Sequence, residues 1–161
     1  MPDIEKYEGE ALTFGGEGFD SDEYADVACR ARLVQVHLTD CEYSAKVPEI
    51  ISNQNEDDSL SPSFEGEPGG CNYIENLGYF IGDYFWRVDI KHGRRKLLKL
   101  RCKYVLIYEN VQDCDEKYVQ LYFSKIGRFT TYPYFRAEFA AMVSNSGLTF
   151  PPLPSLTDRI D

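Results

Sequence analysis

The sequence predicts one α+β domain, an antiparallel sheet followed by helices at its carboxyl-terminal end. Three observations carry this reading. Tyr84, Trp86, Val88 and Ile90 alternate with Phe85, Arg87, Asp89 and Lys91, and Leu98, Leu100, Cys102, Tyr104, Leu106 and Tyr108 alternate with Lys99, Arg101 and Lys103. That period of two marks half-buried strands. His92-Gly93-Arg94-Arg95 between the two runs supplies the Gly-containing turn of a hairpin. Phe135, Phe139, Met142 and Val143 recur at i, i+4, i+7 and i+8, one face of an amphipathic helix.

Taken in order, residues 1–28 mix Gly9, Gly15, Gly16 and Gly18 with Glu8, Glu10, Glu17, Asp20, Asp22 and Glu23. Such a composition cannot support a core, so an acidic, flexible arm is expected, touched down by Leu12, Phe14 or Phe19. The domain proper is expected over 29–161. Val34, Val36 and Leu38 share one face of a first strand and Gln35 and His37 the other, and the strand runs on through Thr39-Asp40-Cys41-Glu42-Tyr43. Residues 52–70, with five acids and with Pro62, Gly66, Pro68, Gly69 and Gly70, read as a flexible acidic loop. Leu77 to Ile81 leads into the hairpin. Asp113, Asp115 and Glu116 then complement the amino terminus of a short helix carrying Tyr118, Val119, Tyr122, Phe123 and Ile126, which Gly127 can close. Pro133 suits the first turn of the longer helix and Gly147 its left-handed stop. Phe150-Pro151-Pro152-Leu153-Pro154 must lie extended, leaving Phe150 and Leu153 free to pack.

Composition narrows the function. A chain of 161 residues is one domain long. Its 12 Tyr and 10 Phe are more aromatic surface than one small sheet needs to cover. A net charge of -10 repels a phosphate backbone, so no nucleic-acid partner is expected. No apolar run approaches the roughly 20 residues that span a bilayer, so no membrane insertion and a cytoplasmic location are expected. Cys29, Cys41, Cys71, Cys102 and Cys114 are odd in number and form no C-x-x-C pair, the pattern of reduced thiols rather than of a disulfide framework or a zinc site.

Nothing in the sequence assembles a catalytic centre. His37 and His92 stand far apart, one on a strand and one in a turn, and neither neighbours a nucleophile in sequence. The glycines near 15 and 69 are not followed by Lys-Ser, and neither Asp57-Asp58 nor Asp113-x-Asp115-Glu116 has the alternating oxygens of a calcium loop. No enzyme, metal or cofactor is expected. What remains is the aromatic excess, whose functional reading is an apolar surface groove for something apolar. Candidate contact residues are Tyr79, Phe80, Phe85, Phe129, Tyr132 and Tyr134, with Trp86 on the opposite strand face as core. The helix face Phe135, Phe139, Met142, Val143 is broad for a single sheet, so helix packing or a subunit interface is expected there.

The stretch YPYFRAEFAAMVSNSGLTFPPLPSL, residues 132–156, resembles the carboxyl-terminal signature of the SecB-type protein export chaperones. Pro133, Tyr134 and Arg136 fall on the family's Pro-Tyr-x-Arg; its following Glu is Ala137 here, with the acid displaced to Glu138. Gly147, Phe150 and Pro151 fall on its Gly-x-x-Phe-Pro, one residue longer than usual. The resemblance implies a four-stranded antiparallel sheet with two carboxyl-terminal helices packed on one face, assembled as a homotetramer. It implies ATP-independent binding of unfolded polypeptide clients. Asp40 resembles an acid with which the family docks on the SecA motor, but Lys99, Arg101 and Lys103 stand where the family offers Glu, which fits a chaperone of a toxin-antitoxin system better than general export. Two readings compete: a small-molecule-binding domain or enzyme using a cavity between sheet and helices, and a structural subunit whose aromatics fill one permanent interface.

Overall fold

The computed structural model describes residues 13–54 and 60–156. Leu12 and all three acids of the 52–58 stretch, Glu56, Asp57 and Asp58, lie outside them. A four-stranded antiparallel sheet is ordered β1 (Arg32–Ala45), β4 (Arg95–Glu109), β3 (Tyr79–His92), β2 (Leu60–Ile74). Helix α1 (Ser21–Arg30) precedes it, α2 (Val47–Asn53) joins β1 to β2, and α3 (Glu116–Asn145) crosses one face. The α+β class and the hairpin are as expected, with Gly93 at φ 58 in the turn.

The core is built on the alternation of β3 and β4. Tyr84, Trp86, Val88 and Ile90 and their partners Tyr104, Cys102, Leu100 and Leu98 turn one continuous apolar face to α3. Trp86 is its centre. Its indole stacks on Phe135 at 5.5 Å and 16°, touches Tyr132 at 5.0 Å, and donates its N–H to the Thr131 hydroxyl at 2.7 Å. Thr131 in turn donates to the Gly127 carbonyl at 2.7 Å, so the buried hydroxyl both gives and receives.

Four expectations are corrected. The two carboxyl-terminal helices are one 30-residue helix, which runs through both Gly127 and Pro133. Val119, Phe123, Gly127, Thr131, Phe135, Phe139 and Val143 are all buried at a strict spacing of four, a stripe that winds slowly round the helix as it crosses the twisted sheet. Gly127 lies on this stripe: a Cβ there would stand 3.1 Å from the Tyr84 ring, so the glycine allows close approach instead of ending the helix. Pro133 withholds one helical hydrogen bond, a penalty of about 3 kcal/mol that burial of the flanking aromatics offsets.

Residues 60–70, read as loop, belong to edge strand β2. Proline is tolerated at an edge, where N–H groups face outward, and the glycines are required by what they cross. A Cβ at Gly66 would lie 2.6 Å from the Trp86 ring, and one at Gly69 only 2.3 Å from the Phe85 ring. The expected arm 1–28 ends in a helix from Ser21, capped by Asp20 and anchored by buried Val27. Before it, Phe14 and Phe19 pack on each other at 4.9 Å and Phe19 reaches Tyr118 at 6.1 Å, as the touch-down reading expects.

In β1, Val34, Val36 and Leu38 do not form one simple face, because Val34 and Thr39 are extra residues in the pairing with β4. The Thr39 bulge re-aims the strand: Cys41 and Tyr43 join the inner face while Asp40 and Glu42 turn to the open face. At the far end α3 closes with Gly147 at φ 72, and the Leu148 and Gly147 amides bond back to the Val143 and Ser144 carbonyls.

Trp86→Ala is expected to cost ~3–5 kcal/mol in urea unfolding, and Gly66→Ala to destabilise by forcing β2 off the indole. Burial pushes Tyr84 and Tyr108 up to about 12, above the value near 10 of an unfolded tyrosine. The unfolded chain therefore loses these protons first. Stability is unaffected by them below about pH 10 and falls as pH rises from there towards 12, which urea midpoints at several alkaline pH values will show.

Candidate functional site

Two concave surfaces lie on opposite sides of the molecule, and the sequence builds them differently. On the helix side the stop at Gly147 turns the chain back along α3, and Pro151 to Pro154 keep it extended. Buried Leu153 pins this tail, and the Tyr132 hydroxyl donates to the Pro154 carbonyl. Between helix and tail runs a groove of about 500 Å³ lined by Phe129, Tyr132, Pro133, Arg136, Ala137, Ala140, Pro152, Ser155 and Leu156. Ala137 and Ala140 leave the room that larger side chains would fill. Phe129, 41% exposed, stands at its mouth. Arg136 and Ser155 are its free polar side chains, because the Tyr132 hydroxyl is already spent on the tail.

The other surface is the open face of the sheet, with a hollow of about 190 Å³ where Asp40, Glu65, Glu67, Phe85, Arg87, Arg101 and Lys103 meet. Here the cations of the hollow and their β4 neighbours each have an acid. Arg101 and Lys96 both bind Asp89, at 3.0 and 3.1 Å, Lys103 binds Asp83 at 3.0 Å, Lys99 binds Glu42, and Arg87 binds Glu65. Burial pushes the Asp89 carboxyl up, but the hydrogen bonds from Lys96 and Arg101 outweigh it and hold it below the usual range. The Lys99 hydrogen bond lowers Glu42 likewise. The basic residues Lys99, Arg101 and Lys103, which lie on β4, are thus neutralised across strands, and Asp40 sits opposite Lys103.

The expected contact residues do not form one patch. Phe80 is fully buried against Phe123 and Tyr132 is 4% exposed, so both are core residues: Phe80 sits on the inner face of β3, and Tyr132 is held between Trp86, Phe64 and the tail. Phe85 lies on the open face under the Lys103 ammonium. Tyr79 is exposed at the start of β3, and Tyr134 is exposed but does not line the groove. Phe129 is the expected residue that the groove exposes. Phe135, Phe139 and Val143 are buried and Met142 partly so, all against the chain's own sheet and tail, so this face is helix packing and leaves little for a subunit interface. The sequence reading missed Ala137, Ala140 and the tail as groove walls. Small residues at helical spacing opposite a Pro-rich return were the available signal.

His37 is solvent-exposed beside Gln35, and among the described residues no three metal-ligating side chains cluster. Cys41 and Cys102 face each other across β1 and β4 with Sγ atoms 3.9 Å apart, and burial pushes both thiols up, away from the reactive thiolate.

No protein-family model matches the sequence, and no curated protein matches it. Among solved structures, the chain is similar to a SecB-like chaperone of Mycobacterium tuberculosis, solved in complex with a ChAD peptide from the HigA1 antitoxin. Identity is 17%, the TM-score 0.69, and the match covers 87% of this chain and 100% of that one. With its four-stranded antiparallel sheet backed by a long carboxyl-terminal helix, the chain has the SecB-like fold.

Proposed function

We propose that the protein is an ATP-independent holdase, which keeps a non-native polypeptide in solution by burying its aromatic and aliphatic side chains in the groove between α3 and the tail. The observation that carries this reading is the groove itself: apolar walls, an exposed Phe129, and free polar side chains from Arg136 and Ser155 alone. A site for one small molecule would converge several polar groups on it. The M. tuberculosis protein of the same fold is solved with an antitoxin peptide, which favours a dedicated client of that kind over general export. The open face supports the same preference. Lys96, Lys99, Arg101 and Lys103 of β4 neutralise its acids in cross-strand pairs and Asp40 sits opposite Lys103, which weakens any acidic patch it could offer the export motor.

Magnitudes shape the assembly. One buried Phe or Leu side chain contributes about 1.5–3 kcal/mol, whereas micromolar binding needs about 8 kcal/mol. Several contacts along an extended client, or several grooves on one oligomer, must act together. A homo-oligomer, dimer or tetramer, meets that requirement. Edge strand β1 supports it with 14 residues free of proline and with Leu33, Val34 and Leu38 about 40% exposed. Five free thiols fit a reducing, cytoplasmic setting.

An excess of the protein, without ATP, is expected to delay the light scattering of an unrelated denatured enzyme diluted into buffer. Phe129→Ala should require roughly threefold or more protein for equal protection, with the unfolding midpoint little changed. Phe85→Ala tests the other surface: loss of protection there, with Phe129→Ala intact, would place clients on the open sheet face. Protection by neither wild type nor variant at any ratio would end the holdase reading. Light scattering on the free protein at micromolar concentration should give a multiple of the chain mass, and a single-chain mass would contradict the assembly.

A further inference from the structure

One face of α3 continues past the groove. Tyr118, Tyr122, Lys125, Phe129, Pro133 and Arg136 follow at spacings of three and four, so they share a single stripe from the first turn of the helix to the groove. At its amino-terminal half this stripe already holds a piece of chain. Phe19 packs on Tyr118, Tyr24 on Tyr122 at 6.3 Å, and the Lys125 ammonium lies 5.8 Å from the centre of the Phe14 ring. The Asp20 amide donates to the Tyr118 hydroxyl at 2.8 Å. The docked segment has its own pattern: Phe14, Phe19 and Tyr24 recur every five residues, with Glu17, Asp20, Asp22 and Glu23 between them. It is an aromatic segment studded with carboxylates.

Charge on the other half of the stripe matches that pattern. Arg136, which lines the groove, and exposed Arg128, next to Phe129 in sequence, lie within ion-pair distance of no carboxylate among the described residues, whereas Arg87, Lys96, Lys99, Arg101 and Lys103 on the sheet are all paired. Glu138 is the only acid between Lys117 and Asn145, and its charge bears on the Cys41–Cys102 pair instead. On a chain of net charge -10, an unpaired arginine in an apolar groove is positive charge left for something outside the fold.

We infer that the groove selects extended segments in which aromatic side chains alternate with carboxylates. Phe129 and the alanine floor take the ring, Arg136 takes the acids, and the chain's own Phe14–Tyr24 stretch, turn and helix where it docks on the amino-terminal half of α3, carries the same mixture of rings and carboxylates in its sequence. This rests on the polypeptide-binding reading of the groove and adds the chemistry of the client. A basic client, which the overall negative charge would attract, is disfavoured at this one face.

The test is fluorescence anisotropy of the full-length protein with three labelled peptides. The first copies residues 13–24, the second carries Lys in place of its four acids, and the third Ala in place of its three aromatics. The first should bind at least about tenfold more tightly than either variant at low salt, and its margin over the Lys peptide should shrink as salt rises. Arg128→Glu with Arg136→Glu should reverse the order of the acidic and Lys peptides, with circular dichroism confirming the fold. Equal or tighter binding of the Lys peptide overturns the inference. So does binding that is lost in Tyr122→Ala but kept in Phe129→Ala, since the peptide would then be displacing the internal segment. Protection of a denatured enzyme with no difference among the peptides removes the selectivity and leaves the holdase. Selective peptide binding without protection does the reverse.

Discussion

The packing of α3 against Trp86 is the constraint on which the other features depend. The indole must have a flat partner, a hydrogen-bond acceptor and a thin cover, and two elements, α3 and β2, supply them. Phe135 stacks on it, Thr131 accepts its N–H, and β2 passes over it at Gly66 because no other residue leaves room. An unpaired indole N–H in this core would cost about 1–3 kcal/mol, so the register of helix on sheet is fixed by one hydrogen bond as much as by apolar area. The i, i+4 burial stripe from Val119 to Val143 follows from that seat and from the twist of the sheet beneath it.

Fixing the inner stripe also fixes what the outer stripe can do. Once Phe135, Phe139 and Val143 are spent on the sheet, Phe129, Pro133, Arg136, Ala137 and Ala140 must face away from it. The tail then walls that outer stripe on one side, tethered by Leu153 and by the Tyr132 hydroxyl. Tyr132 therefore belongs to core and groove together: its ring packs on Trp86 while its hydroxyl holds the groove's wall. A binding surface supported in this way is preorganised, and binding there does not have to order a loop first.

The two faces of the protein use charge in opposite ways. On the open sheet face, cross-strand pairs bring Arg87, Lys96, Lys99, Arg101 and Lys103 to an acid, and the exposed ones among them, such as Arg87–Glu65, contribute about 0–1 kcal/mol each. Their main effect is to leave that face without a field of either sign. On α3 the cations have no such partners, so their field reaches outward. Net charge describes neither face, because the acids that dominate the total are concentrated elsewhere in the chain.

The sequence by itself determined the hairpin, the α+β class, both ends of the helical region and the placing of Trp86 inside and Phe85 outside. Each of these depends on local period or on one residue's backbone preference: alternation in β3 and β4, Gly93 in its turn, Asp115 at the start of α3, Gly147 at its end. The resemblance carried by Pro133, Tyr134, Arg136 and Phe150 pointed to the fold that most of the chain then showed. Only tertiary structure decided the rest. Gly66, Pro68 and Gly69 read as loop because their local preferences oppose a strand, and they form one because Trp86 and Phe85 demand bare backbone above them. Gly127 and Pro133 read as helix boundaries and are overruled by the burial of the aromatics on either side. Phe80 and Tyr132 are indistinguishable in sequence from Phe129 and Tyr134; which of them lines a surface depends on a sheet and a tail far away along the chain, and no local pattern encodes that distance.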